Sequence, residues 1–235
     1  MTQFRPSRFQ ILPTVIKNLL IINGLVFLAQ VTIGKQGSSF DMDNLFALHT
    51  WQSPLFKPWQ LITHMFMHGT VEHILSNMFA LWMFGSVLEN VWGPKRFLTF
   101  YLVCGLGAAL CHMSVLYVEM QPIAEAFKRL PFEQQQELIT NPLFRLNEAT
   151  LGASGAVFGC LAAFGYLFPN TYIYISFLIP VKAKWFVIGY AAFELYAGVR
   201  NSAGDNVAHY AHLGGALVGI ILVYFWNRTN KKTFY

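Results

Sequence analysis

Residues 97–118 read FLTFYLVCGLGAALCHMSVLYV, a stretch without a single aspartate, glutamate, lysine or arginine. A helix rises about 1.5 Å per residue, so roughly 20 apolar residues cross the hydrocarbon layer of a bilayer. This stretch is long enough to be a membrane span. Comparable runs cover about Val15–Ile33, Val71–Val91, Ser154–Phe168, Ile179–Val199 and Val207–Trp226. The expectation is six spans, the fourth of them short.

Composition agrees. Of 235 residues 55% are hydrophobic, 11% are charged and 22 are phenylalanine, whereas an ordinary soluble domain carries roughly 25% charged residues. A soluble enzyme, a disordered chain and a disulfide-stapled secreted module are excluded. The fold class expected is an all-α polytopic membrane protein with a short N-terminus (1–14), a six-helix membrane domain (15–226) and a basic tail (227–235). A large first loop, Gly34–Thr70, is placed in the membrane interface by Trp51, Trp59 and its phenylalanines. An insertion at 119–150 joins spans three and four, with a helix around Ala124–Thr140 interrupted at Pro131. It reads either as a docking or lipid-lying helix or as a solvated insertion. Cys104, Cys111 and Cys160 lie in apolar runs without paired spacing and read as packing residues.

The net charge of +5 is informative by position. Arg5, Arg8 and Lys17, then Lys95 and Arg96, then Lys182 and Lys184, then Arg228, Lys231 and Lys232 all fall on one side of a six-span chain. The positive-inside rule makes that side cytoplasmic, with both termini there. No cleavable signal is evident, and the short N-terminus leaves little room for a transit peptide. The expected location is therefore a prokaryotic plasma membrane, with the site described next towards its outer side.

Strongly polar groups inside a membrane are costly and mark function by default. Three clusters stand out: Trp59–His68 continuing to His73 and Asn77, then Gly152-Ala153-Ser154-Gly155, then His209-Tyr210-Ala211-His212. Spans two, four and six run in one direction, and His73, Asn77, Ser154 and His212 all lie within their first two turns. Three separate segments thus put polar groups in one layer. Gly155, Gly159 and Ala163 form a small-residue stripe, as do Ala211, Gly215 and Gly219, and such i, i+4 stripes let helix backbones approach closely in lipid. Ser154 and His212 flank those stripes, which suits a base activating a hydroxyl. His73 and Asn77 share one helix face and, with the Ser154 backbone N–H, could surround an oxyanion. The plainer reading, buried polar residues in tight packing, explains the stripes but not the histidine.

A zinc site is the rival. His68-Gly69-Thr70-Val71-Glu72-His73 is one residue longer than H-x-x-E-H, which puts its histidines about 140° apart on a helix. No metal, cofactor or nucleic-acid motif is expected.

Together these residues resemble the rhomboid intramembrane serine proteases, over a stretch from Trp59 to about Gly219. The carrying motifs are Gly152-x-Ser154-Gly155, Ala211-His212-x-x-Gly215-x-x-x-Gly219, and His68 with His73 and Asn77 in H-x-x-x-x-H-x-x-x-N. Gly85 and Glu89 resemble the motif at the far end of the second helix. The resemblance implies Ser154 as nucleophile, His212 as general base and acid, and His73, Asn77 and Ser154 as the oxyanion hole. His68, Phe158, Gly152, Gly155, Gly215 and Gly219 are supporting. No aspartate is placed to orient His212, so a dyad is implied. Phe158 stands where the family carries a tyrosine stacked on the histidine, and Trp59-Gln60 replaces a Trp-Arg pair, which would weaken loop anchoring. His64 would brace the first loop, and His209 would sit near a lid. Span five, with Phe186, Tyr190, Phe193 and Glu194, would be a lateral gate, and Asn201–Asn206 a cap.

The implied partners are transmembrane protein substrates within the lipid bilayer. Two other readings stay open: a non-catalytic rhomboid-like binder that escorts membrane clients, and a channel or transporter with a polar pocket.

Overall fold

The apolar runs fold as helices in the computed structural model, which describes residues 9–33, 41–175, 178–200 and 208–229. Helix α1 (Thr14–Thr32) follows Pro13, which offers no capping side chain. The free N–H groups of its first turn are satisfied from elsewhere. Val15 and Ile16 each donate to one oxygen of the Glu89 carboxylate at 2.9 Å, and Glu89 is buried. A carboxylate at the positive end of a helix is favourable, and doubly so when it accepts two N–H bonds there. Gly85 makes room for this junction, because a Cβ on it would come within 2.6 Å of Ile16. Glu89→Ala would strand one buried and one partly buried donor, at about 1–3 kcal/mol for the buried one. It is expected to lower the unfolding midpoint in mixed micelles by the equivalent of about 2–4 kcal/mol, while Glu89→Gln, which keeps an acceptor, should lose less.

The first loop holds α2 (Met42–Phe46), β1 (Leu48–His49) and α3 (Gln60–Thr63). The second apolar run is α4 (Val71–Ala80), a π-helical turn at Leu81–Gly85, and α5 (Ser86–Trp92). Gly93, at φ +79°, reverses the chain, and Pro94 opens α6 (Pro94–Lys128), the usual placement of both residues.

Helix α6 was expected to stop near Val118 and instead continues through Pro122 for 35 residues. At about 1.5 Å per residue it is roughly 50 Å long and overshoots a 30 Å hydrocarbon layer. Beyond Val118 the helix persists because Met120, Ala124 and Phe127 pack with Leu146 in a second small core. Leu138 and Ile139 of α7 (Phe132–Thr140) join it. The Asn147 amide donates to the carbonyls of Leu138, Ile139 and Asn141 at 3.0, 3.0 and 2.8 Å. The 119–150 insertion is thus a knot on the end of α6.

β2 (Ala149–Thr150) pairs antiparallel with β1, Leu48 opposite Thr150, which ties the first loop to the chain entering α8 (Ser154–Leu167). Helix α8 is buried on nearly every side, with ten of its residues from Gly155 to Gly165 in the core. It packs on α4, α6, the π-helical turn, α9 (Ala183–Arg200) and α10 (His209–Thr229). A helix wrapped by others has no need to meet lipid along its length, which accounts for its shortness.

The expected start of the fifth span at Ile179 is corrected. Residues Ile179–Lys182 form β4, paired with β3 (Tyr172–Ile175). The alternating Tyr-Ile-Tyr-Ile of β3 favours a strand, and Ile179–Lys182 are taken up in pairing with it. Among the described residues four helical stretches are long and apolar enough to cross a membrane: Thr14–Thr32, Val71–Trp92, Pro94–Lys128 and His209–Arg228. The expected cap at Asn201–Asn206 and the basic residues Arg5, Arg8, Lys231 and Lys232 lie outside the described residues.

Candidate active site

The two small-residue stripes meet. A Cβ on Gly215 would overlap the Gly155 carbonyl oxygen, and one on Gly219 would lie 2.7 Å from the Gly159 carbonyl oxygen. Helices α8 and α10 therefore touch backbone to backbone, and that contact brings their polar ends together. His212 Nε2 lies 2.8 Å from Ser154 Oγ, and His212 is buried.

Gly152 prepares the turn before Ser154. Its φ of +131° is available only to glycine without strain, and a Cβ there would also meet the His73 ring at 2.8 Å. Its N–H donates to the His64 carbonyl at 2.9 Å, so the first loop fixes the approach to α8. Both the His73 Nε2 and the Ser154 Oγ fall close to that same Cβ point, at 2.9 and 3.6 Å. His73 is thereby brought to the serine. Asn77, buried one turn on, gives an amide N–H to the His73 carbonyl at 3.0 Å, leaving its other N–H for another acceptor. The His68 ring meets the His73 ring edge to face, with centroids 5.1 Å apart. Phe158 lies flat on His212, centroids 4.2 Å apart and planes 4° from parallel. The stack expected from its position is present without a hydroxyl.

The structure adds a residue that the sequence reading left out of the site. Glu194 Oε2 accepts from His212 Nδ1 at 2.9 Å and from His209 Nδ1 at 2.6 Å, and only 2% of Glu194 is exposed. The sequence signal was there: an acidic residue inside an apolar helix needs a partner. What it lacked was a direction, since Glu194 lies on a different helix from His209 and His212 and at no helical repeat from them. Glu194, His209 and His212 also form a group, among the described residues, whose ligand atoms lie within 4.8 Å of one another. Those atoms are already engaged with one another through protons.

Gln60 is a buried brace of the first loop. Its carbonyl oxygen accepts from the His49 and Lys57 N–H groups at 3.3 and 3.1 Å, and its amide donates to the Asn44 and Leu55 carbonyls at 3.1 and 3.0 Å. Trp59 meanwhile is half exposed and bonds the Leu45 carbonyl through its indole N–H at 2.8 Å. His64 Nδ1 donates to the Gln60 carbonyl at 2.8 Å, His112 Nε2 meets the Thr150 hydroxyl at 2.9 Å, and His49 is fully buried.

Two loop histidines predict an acid response. Burial pushes His64 down to about 4, against the opposing hydrogen bond to Gln60. Burial, with a smaller contribution from His73, does the same to His68, also to about 4. In the unfolded chain each would take up a proton near pH 6.5. Between those values the unfolded state binds more protons than the folded one, so stability is complete above pH 6.5 and falls as pH drops towards 4. At pH 5 the loss is about 2 kcal/mol for each histidine. The melting temperature in detergent should fall between pH 7.5 and 5, and His68→Phe should flatten that slope.

Comparison with known proteins follows from this geometry. A family model described as "Rhomboid domain" matches residues 55–228. The chain is 31% identical over 227 residues to RHOMBOID-like protein 12, mitochondrial, of Arabidopsis thaliana, covering 94% of this chain and 60% of that protein. It is 28% identical over 172 residues to Rhomboid protein 1, mitochondrial, of Saccharomyces cerevisiae, covering 73% and 43%. It is 26% identical over 227 residues to Rhomboid-like protein 11, chloroplastic, of Arabidopsis thaliana, covering 88% and 66%. The chain thus spans only part of the length of these relatives. Their names overturn the expected plasma-membrane location with cytoplasmic termini. Hydropathy and charge asymmetry report which way a chain threads a bilayer, not which bilayer it is, so the sequence held no evidence on that point.

Proposed function

The chain belongs to the rhomboid family, and on that premise we propose that it is an intramembrane serine endopeptidase of an organellar membrane, crossing the bilayer six times and cutting transmembrane segments of other proteins. The observation that carries this reading is the 2.8 Å contact between His212 Nε2 and Ser154 Oγ in a buried, backbone-tight junction of α8 and α10. A general base must lie within about 2.6–3.2 Å of the proton it takes.

In the proposed reaction His212 Nε2 removes the hydroxyl proton as Ser154 Oγ bonds the scissile carbonyl carbon. The carbonyl oxygen becomes an oxyanion, for which His73, the second N–H of Asn77 and the Ser154 backbone N–H are the donors. Helix α8 begins at Ser154, so that N–H sits at a helix's positive end. Collapse returns the proton from His212 to the leaving amine, and water then repeats the sequence on the acyl-enzyme. The substrate carbonyl must be free to reach Ser154, so the expected substrate is a span whose helix unwinds easily near the cut. Phe158, Leu161, Val187, Tyr190 and Ala216 line a small apolar pocket between α8, α9 and α10.

The test is cleavage of a single-span reporter in liposomes by wild type, Ser154→Ala and His212→Ala, with labelling by a serine-reactive phosphonate. Cleavage and labelling confined to wild type would support the proposal. Equal cleavage by all three would overturn it. Binding of the reporter without cleavage or labelling would favour a non-catalytic escort.

A further inference from the structure

We propose that Glu194 is the positioning residue of this site, a buried carboxylate that fixes the tautomer of His212 and stabilises its charged form during the reaction. The proposal rests on the reading of Ser154 and His212 as nucleophile and base, and goes beyond the two-residue dyad that reading requires.

The geometry is specific. Glu194 reaches across from α9 and places a single oxygen, Oε2, 2.9 Å from His212 Nδ1 and 2.6 Å from His209 Nδ1. An ionised carboxylate can only accept, so both Nδ1 atoms carry protons. His212 Nε2 is then the bare nitrogen, and it is the one facing Ser154 Oγ at 2.8 Å. One acceptor therefore sets the tautomer that general-base chemistry needs. The ring and its acceptor are held further: Phe158 lies flat on the ring, and His209 gives the same carboxylate oxygen a second hydrogen bond.

Energetics point the same way. A carboxylate buried among apolar helices is expensive unless it accepts strong hydrogen bonds. A tie between α9 and α10 could be made more cheaply by a serine or glutamine. What only the ionised group supplies is a negative charge next to His212 at the moment it becomes an imidazolium. When Oγ bonds the carbonyl carbon, the hydroxyl proton passes to Nε2, the carbonyl electron pair moves to oxygen, and Glu194 stays ionised throughout. Among the described residues, the titratable groups around this carboxylate are His209 and His212 on α10 and Tyr190 one turn earlier on α9. His73 and His112 come close enough to His212 to sense its charge.

The experiment compares full-length wild type, Glu194→Gln, Glu194→Ala and Glu194→Asp in liposomes with the same single-span reporter. The readouts are kcat, KM, the pH profile of kcat, and the rate at which a phosphonate labels Ser154. Glu194→Gln keeps size and an acceptor but loses the charge. Its kcat is expected to fall about 10²–10⁴-fold, with KM within twofold. The acidic limb of the pH profile should move, because this variant puts no charge beside His212. Labelling of Ser154 should slow in parallel. Glu194→Asp, which restores the charge, should recover part of the loss.

A Glu194→Gln enzyme within threefold of wild-type kcat and with an unmoved acidic limb would overturn the proposal and leave Glu194 as a structural tie. If Glu194→Gln folds poorly, Glu194→Asp and Glu194→Ala at matched folded fraction decide: equal activities overturn the proposal, and higher activity in the aspartate variant supports it. Equal cleavage by wild type and Ser154→Ala would instead sink the underlying protease reading, a pattern distinct from a loss confined to position 194.

Discussion

Ser154→Ala is expected to lower turnover of a single-span reporter by at least about 10⁴-fold while leaving the protein folded. The nucleophile and its base act as a unit, so losing either removes nearly all of what the pair supplies. The fold should be indifferent, because Ser154 Oγ makes its described side-chain hydrogen bond to His212 alone, and a net hydrogen bond is worth about 1 kcal/mol. His212→Ala should match it in activity but cost more stability, since it empties the space facing Phe158 and leaves Glu194 with one donor fewer. Melting curves alongside initial rates check both halves. A Ser154→Ala protein that still cuts at a tenth of the wild-type rate would remove Ser154 from the chemistry.

Gly215→Val is expected to have the largest effect on the fold itself. The first carbon added at Gly215 overlaps the Gly155 carbonyl oxygen and comes within 2.7 Å of its carbonyl carbon. These are backbone atoms of a central helix and cannot turn aside as a side chain would. Helices α8 and α10 must separate, at a cost of about 3 kcal/mol or more, and the 2.8 Å contact between His212 and Ser154 is lost with them. Gly189→Ala is the control, because nothing lies within 4 Å of a Cβ there. It should be neutral or mildly stabilising, alanine being the better helix former. Unfolding midpoints and reporter cleavage on both variants separate the effect of the junction from that of glycine replacement in general.

Much of the arrangement was legible because it is written in local pattern. The apolar runs gave the helices through hydropathy. The stripes Gly155/Gly159 and Gly215/Gly219 gave the α8–α10 contact through i, i+4 spacing, and the common depth of His73, Asn77, Ser154 and His212 followed from chain direction. What failed has a shared cause. The end of α6 and the start of α9 were misplaced because hydropathy registers apolar character and not what it packs on: Met120, Ala124 and Phe127 hold their helix by packing, and Ile179–Lys182 pair as a strand with β3. The bracing part of Gln60 was not legible because it lies in four hydrogen bonds to a loop whose path no periodicity describes.

The sequence by itself determined an all-helical membrane protein, the small-residue seam and the residues that share a polar layer, since each is a property of one helix or of a repeat along it. Only the tertiary structure decided that Glu89 closes the start of α1 and that Glu194 closes on His212. A buried carboxylate is placed by where its donors come to rest, and those donors lie on other helices, across distances that a linear pattern does not encode.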